Sequence, residues 1–169
     1  MTLEYTPEGL LTPRIHHADD LAELYEPLVR DAPHRGQREI IYRGIEIFRS
    51  TMVDIAGPAP LWVGGAFAQK VADVEPPHAE LVYLCEDAGQ AKAALGDDRL
   101  FGLLTLTGVS IWRPVATGLQ HMRGVGGTVH AYLATPRRFA YWQKMLMQTK
   151  DADGTSAYGV EHGIVEVGK

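Results

Sequence analysis

A single cysteine, Cys85, stands among 169 residues, which excludes an intrachain disulfide and any zinc cluster built on thiolates. Surplus basic charge is also missing. Sixteen Lys and Arg against 21 Asp and Glu leave a net charge of −5, the wrong sign for a protein that coats nucleic acid through its phosphates. No stretch approaches the ~20 apolar residues of a membrane-spanning helix. The opening MTLEYTPEGL has neither the basic start nor the apolar run of a secretory leader, so an intracellular or particle-associated protein is expected. Two catalytic signatures are absent as well. The glycine-rich TGLQHMRGVGG (117–127), with His121 inside it, is not followed by Gly-Lys-Ser/Thr and is no phosphate loop. No Gly-x-Ser-x-Gly elbow offers a serine nucleophile. Repeats and low-complexity tracts are missing too.

What is present is ordinary for a water-soluble globular chain: 46% apolar and 22% charged residues, in a length that suits one domain with a sizeable core. Residues 1–18, with Pro7, Pro13 and the pair His16-His17, read as an extended, solvated lead-in to a domain over 19–169. The segment ADDLAELYEPLVR (18–30) has a capping aspartate and leucines at helical spacing, and Pro27 divides it into two short pieces. Residues 34–57 predict the main helix. Ile40, Ile41, Ile45, Phe48, Met52 and Ile55 form its apolar stripe, Arg and Glu fill the other side, and Gly57-Pro58 ends it. Strands are expected over 61–65, 79–86, 100–112 and 127–134, a short Ala-rich helix over 88–97 and an aromatic helix over 135–149. The closing HGIVEVGK reads as an edge strand or a docked tail. In the strand over 127–134, Val129, Ala131 and Leu133 share one face while His130 and Tyr132 share the other. Interspersed helices and strands give an α/β (α+β) fold. Cys85 reads as a small apolar residue closing a buried strand, and Trp62, Trp112 and Trp142 as core or interface anchors.

The segment LWVGGAFAQKVADVEPPHAELVYL (61–84) carries the chemistry in question: an apolar strand, a Gly-Gly turn, a short excursion, then a second strand entered through His78-Ala79-Glu80. Around it lie Pro7-Glu8-Gly9, His34-Arg35, Leu61-Trp62-Val63, Gly65-Ala66-Phe67, Lys70, Pro76-Pro77, Tyr141-Trp142, Asp153-Gly154 and Gly163-Ile164-Val165-Glu166. This ordered set resembles an uncharacterised family of bacterial and phage proteins built on the nucleotidyltransferase fold, of the polymerase-β type. The resemblance implies a mixed sheet flanked by helices in a single domain. It also implies a site where two carboxylates at i and i+2 of one strand, joined by a third on a neighbouring strand, hold two Mg²⁺ ions. There a Gly-Ser turn approaches a triphosphate, with Gly64, Gly65, Ala66 and Lys70 at the nucleotide-binding positions.

Nucleotidyl transfer needs that acidic set, because two divalent ions ~4 Å apart stabilise the charge shared by attacking and leaving oxygens. Here His78 and Glu80 fill the i and i+2 positions, His130 stands where the third carboxylate is expected, and Ala66 replaces the serine. A neutral imidazole is a poor ligand for Mg²⁺. Two rescues are open: Asp73 and Glu75 as replacement carboxylates, and His78, Glu80 and His130 as a set suited to Zn²⁺, Mn²⁺ or Fe²⁺. The expectation is a pseudoenzyme without a cofactor, an interaction, assembly or regulatory module that binds a protein partner or itself. Neither a membrane nor nucleic acid in general is an expected partner. Its expected place is the cytoplasm or, if phage-encoded, the virion. The alternative is an active Mg²⁺-dependent nucleotidyltransferase acting on a small molecule, a protein or an RNA end, with Glu80 as the surviving ligand.

Overall fold

The computed structural model describes residues 1–104, 124–150 and 156–169. A five-stranded mixed sheet forms its centre. It is built from β1 (Ile15–Ala18), β2 (Leu61–Gly64), β3 (Ala79–Leu84), β4 (Val129–Ala134) and β7 (Ile164–Val167), in the order β1-β7-β2-β3-β4. The outer pairs β1·β7 and β3·β4 are parallel, and the inner pairs β7·β2 and β2·β3 are antiparallel. This is the expected α/β class, a mixed sheet with helices against it.

The long helix α1 (Arg35–Ala56) covers one face. Its Ile41, Ile45, Phe48 and Met52 are fully buried among Leu61, Val63, Leu81, Tyr83, Ala131, Leu133 and Val165, all side chains of one sheet face. Each large aliphatic or aromatic side chain so buried contributes roughly 1.5–3 kcal/mol. The buried stripe differs from the expected one at two points. Ile40 is 56% exposed, and Arg38, assigned by its charge to the outer side, is completely buried. The period explains both: positions 38, 41, 45, 48 and 52 alternate steps of three and four, whereas 40 lies off that line. The helix starts at His34, in the left-handed region at φ 59°, whose Nε2 lies 2.8 Å from the carbonyl of Ala72.

The opposite face is covered by α4 (Phe139–Leu146), whose Trp142 and Leu146 pack on Trp62, Val82, Leu84, Tyr132 and Ile164. A one-turn 3₁₀ helix, Pro136–Arg138, leads into it. Sharing the core with α1 are α2 (Ala88–Gly96), capped by the Asp87 carboxylate accepting from the Gln90 N–H at 2.8 Å, and a single turn, α3 (Leu100–Leu103). The segment 18–30 divides as expected, into a 3₁₀ turn (Leu21–Leu24) capped by Asp20 and a π turn (Glu26–Arg30) that carries Pro27.

Several elements depart from the sequence reading. The strand expected over 100–112 begins instead as helix. Asp97 accepts the Arg99 N–H at 2.9 Å and starts a turn that buries Leu100 and Leu103, three apart on one side. The rest of that segment, with Trp112, and His121 of the glycine-rich stretch lie outside the described residues, as does Asp153-Gly154. The closing segment is neither an edge strand nor a tail. β7 sits between β1 and β2, with Ile164, Val165 and Val167 fully buried, because both of its edges find partners. The extended lead-in supplies the outer strand β1, and His16, read as solvated, is 5% exposed with Nε2 3.1 Å from the Thr12 carbonyl. An unexpected two-stranded pair, β5 (Gln148–Lys150) with β6 (Ser156–Glu161), follows α4.

Candidate functional site

β3 and β4 run parallel, with Glu80 opposite His130. Side chains two apart on a strand share a face, so His78, just ahead of β3, points to the same side as Glu80. The result is a cluster of three. One ligand atom each from His78, Glu80 and His130 lie within 4.8 Å of one another. The two imidazoles meet edge to face with centroids 5.5 Å apart. Glu80 is 9% exposed, and both histidines are partly exposed, so the cluster sits at the rim of the sheet with a path to solvent.

Two features frame it. On the β2 side, Gly64 pairs with Glu80, and Gly65 follows at φ 71°. A Cβ on Gly65 would lie 2.8 Å from Cγ of Glu80, so only glycine satisfies both the backbone and the contact. On the β4 side, Tyr132 is on the same face as His130, with its hydroxyl 2.5 Å from His130 Nε2 and its ring stacked against Trp142 at 4.3 Å. A contiguous aromatic row thus runs from His78 through His130 and Tyr132 to Trp142 and Tyr141.

The model of a family described as "Family of unknown function (DUF6932)" matches residues 3–168. The chain belongs to that family. No curated protein and no solved structure matches it. The matched span holds all five strands of the main sheet and every member of the cluster, so the DUF6932 sequence pattern and this geometry describe the same stretch of chain.

In this DUF6932 chain, the residues singled out in the sequence fall into four groups. His78, Glu80 and His130 come together, with Gly64 and Gly65 against Glu80. Ala66 starts the one-turn 3₁₀ helix Ala66–Ala68 after the turn and brings no hydroxyl. Lys70 is drawn elsewhere. Its ammonium donates to the Asp31 carbonyl at 3.2 Å and lies 5.0 Å from the centre of the Tyr5 ring. Partial burial lowers its pKa from the ordinary lysine value. Its backbone N–H donates to the Gly9 carbonyl at 2.7 Å, and a Cβ on Gly9 would meet the Lys70 carbonyl oxygen at 2.7 Å. The Pro7-Glu8-Gly9 and Lys70 motifs are therefore two halves of one close backbone contact. Asp73 and Glu75 are exposed on the excursion between β2 and β3 and do not join the cluster.

A magnesium pair does not fit this donor set. Two such ions need several carboxylate oxygens between them, and the cluster offers one carboxylate beside two imidazoles. Among the described residues, no other group of three or more His, Cys, Asp or Glu side chains converges in this way. Nor is any helix of the described residues long and apolar enough to cross a membrane.

Three polar residues that the sequence reading passed over hold the turn behind the site. Arg38 donates to the carbonyls of Phe67 and Gln69 at 2.6 and 2.5 Å. Gln69 accepts the Leu11 N–H at 2.6 Å, and its amide nitrogen lies 3.1 Å from Nδ1 of the buried His162. Only Arg38 had a sequence signal, its place on the helical stripe. Gln69 and His162 meet across 93 positions, which no local pattern reveals.

Proposed function

We propose that this chain is a nucleotidyltransferase-like domain that no longer transfers nucleotides and works as an interaction or assembly module. The observation that carries the reading is the β3·β4 register. It brings together one carboxylate, Glu80, and two imidazoles, His78 and His130, where the resemblance would call for an acidic set. Phosphoryl chemistry of this kind rests on positioning and on charge stabilisation by metal ions, so losing two of three carboxylates removes most of what the protein supplies. The neighbouring positions support the same reading. Ala66 has no hydroxyl for a phosphate, Lys70 is engaged by Asp31 and Tyr5, and the spare carboxylates Asp73 and Glu75 stand apart. An interaction role draws support from the outer side of α1, where Ile40 and Ile47, two turns apart, are 56% and 54% exposed.

The test is direct. The full chain is incubated with Mg²⁺, each labelled NTP and protein, RNA and small-molecule acceptors, beside a Glu80→Gln control. Equal, background-level incorporation in both is expected. Transfer by the native chain above that control would establish an active transferase instead, with Glu80 as its surviving metal ligand.

A further inference from the structure

We propose that His78, Glu80 and His130 bind a single first-row transition-metal ion, of which Zn²⁺ is the natural probe. The inference deepens the reading above and rests on it in one respect, that the position no longer suits a magnesium pair. It stands on geometry of its own. Two imidazoles and one carboxylate are the donor set of borderline divalent ions, and three protein ligands leave a position for water or a bound ligand.

The distances are those of a site one adjustment from closure. Two donors at ~2.0–2.1 Å from a tetrahedral ion lie about 3.4 Å apart. The three ligand atoms here fall within 4.8 Å of one another, so side-chain rotations moving atoms by about 1 Å bring them onto one ion. Two of the three ligands, Glu80 and His130, are also placed on paired strands, since β3 and β4 are adjacent and in register, and Gly65 packs directly on the Glu80 side chain. Burial favours the arrangement further. Glu80 is 9% exposed, and a carboxylate there is stabilised by a cation that takes the place of lost solvent.

Tyr132 supplies the outer support such a site needs. Its hydroxyl, 2.5 Å from Nε2, holds the tilt of the His130 ring, and Trp142, with ring centres 4.3 Å apart, holds the tyrosine. Partners of this kind orient metal-ligating histidines, and losing one weakens binding by ~10–100-fold. Entry is open, because both histidines are partly exposed.

The experiment is calorimetric titration of the full, chelator-treated chain with Zn²⁺. Co²⁺ follows, to read imidazole coordination from its visible absorption, and Mg²⁺ serves as the contrast. One equivalent of Zn²⁺ is expected to bind and to raise the melting temperature, with no response to Mg²⁺. The variants His78→Ala, Glu80→Gln and His130→Ala should each weaken binding on the order of 100-fold or more, since a three-ligand site loses a third of its donors. Tyr132→Phe keeps every ligand and should weaken it about 10-fold. The exposed His17→Ala should change nothing. Melting curves in chelator separate loss of fold from loss of ligand, and Glu80→Gln preserves shape if an alanine variant unfolds. Absence of saturable 1:1 binding, or equal affinity in native chain and cluster variants, overturns the proposal. The nucleotide test fails on a different readout: Mg²⁺-dependent transfer would sink the pseudoenzyme reading whatever zinc does, and absence of zinc binding would leave that reading untouched.

Discussion

Arg38 and the His78–Glu80–His130 cluster are both polar groups set into an apolar fold, and they are resolved in opposite ways. Arg38 is 0% exposed and faces backbone. It donates to the carbonyls of Pro33, Leu28, Phe67 and Gln69 at 2.6, 3.1, 2.6 and 2.5 Å, with its guanidinium 5.7 Å from the centre of the Phe67 ring. Every one of those partners is an acceptor that belongs to the fold itself. One cation thereby ties the π turn, the start of α1 and the turn after β2. The cluster on the other face gathers three side chains whose chemistry is to offer lone pairs, and it does so at the sheet rim, with solvent access. A buried charge answered by carbonyls serves the fold. Converging ligand side chains near the surface have, on the proposal above, the donor set for a metal ion.

The sharpest way to break this contrast is Arg38→Ala. Four carbonyls lose a charge-assisted donor at once, and a buried unsatisfied polar group costs ~1–3 kcal/mol. Partial rescue by neighbours and water brings the expected loss to about 4 kcal/mol, measured as the shift in urea unfolding at constant slope. Arg38→Lys should recover little, because one ammonium cannot reach carbonyls spread across a planar fork. If both variants unfold like the native chain, Arg38 is not the structural tie described, and its contrast with the cluster collapses. Burial lowers the guanidinium's pKa from the ordinary arginine value, but arginine side chains stay charged in proteins, so this effect is expected to be the same at pH 6 and pH 8.

Next in size is Gly65→Ala. The residue sits at φ 71°, and the added Cβ would meet Cγ of Glu80 at 2.8 Å. Left-handed backbone and overlap together are expected to cost about 1–3 kcal/mol. The informative part is where the strain goes. Glu80 must shift, so zinc affinity should fall along with stability, whereas Arg38→Lys should lower stability with little change in zinc affinity among molecules that remain folded. Parallel urea and zinc titrations separate the two. Equal effects of both variants on both readouts would mean that the turn and the cluster form one structural unit.

The same contrast explains what could be read in advance. α1, β2, β3 and β4 announce themselves through local period and punctuation, and β3 and β4 carry the cluster, so His78, Glu80 and His130 were legible as candidates. Whether they met depended on β3 and β4 being adjacent, parallel and in the register Glu80 to His130, which no local pattern specifies. The inner position of β7 was hidden for the same reason. IVEV looks alike at an edge and in a centre until its partners β1 and β2, far away in sequence, are known. Arg38 is a different kind of miss. Its position on the stripe was visible, but its charge argued for the surface, because the four carbonyls that receive it come from other segments. Leu100 and Leu103 read as strand because apolar, β-rich composition outweighs a spacing of three.

The smallest effect at neutral pH concerns a buried thiol. Cys85 follows β3, is 0% exposed, and burial pushes its thiol up from 9 to about 12. Tyr83, also fully buried, is pushed up from 10 to about 12, chiefly by burial, with its hydroxyl donating to the Gly57 carbonyl at 2.5 Å. For both acids the folded state favours the neutral form. The unfolded chain releases its protons first as pH rises, so stability from this source is complete below pH 9 and declines between pH 9 and about 12. Two measurements follow. A thiol-alkylating reagent at neutral pH should label Cys85 only at the rate of unfolding, because the thiolate is the nucleophile and the folded chain holds almost none. Thermal melts should be flat from pH 7 to 9 and fall above it, with Cys85→Ala removing part of the alkaline decline. Rapid labelling of the native chain would mean that the end of β3 opens to solvent, and burial would then not be what keeps the Cys85 thiol neutral.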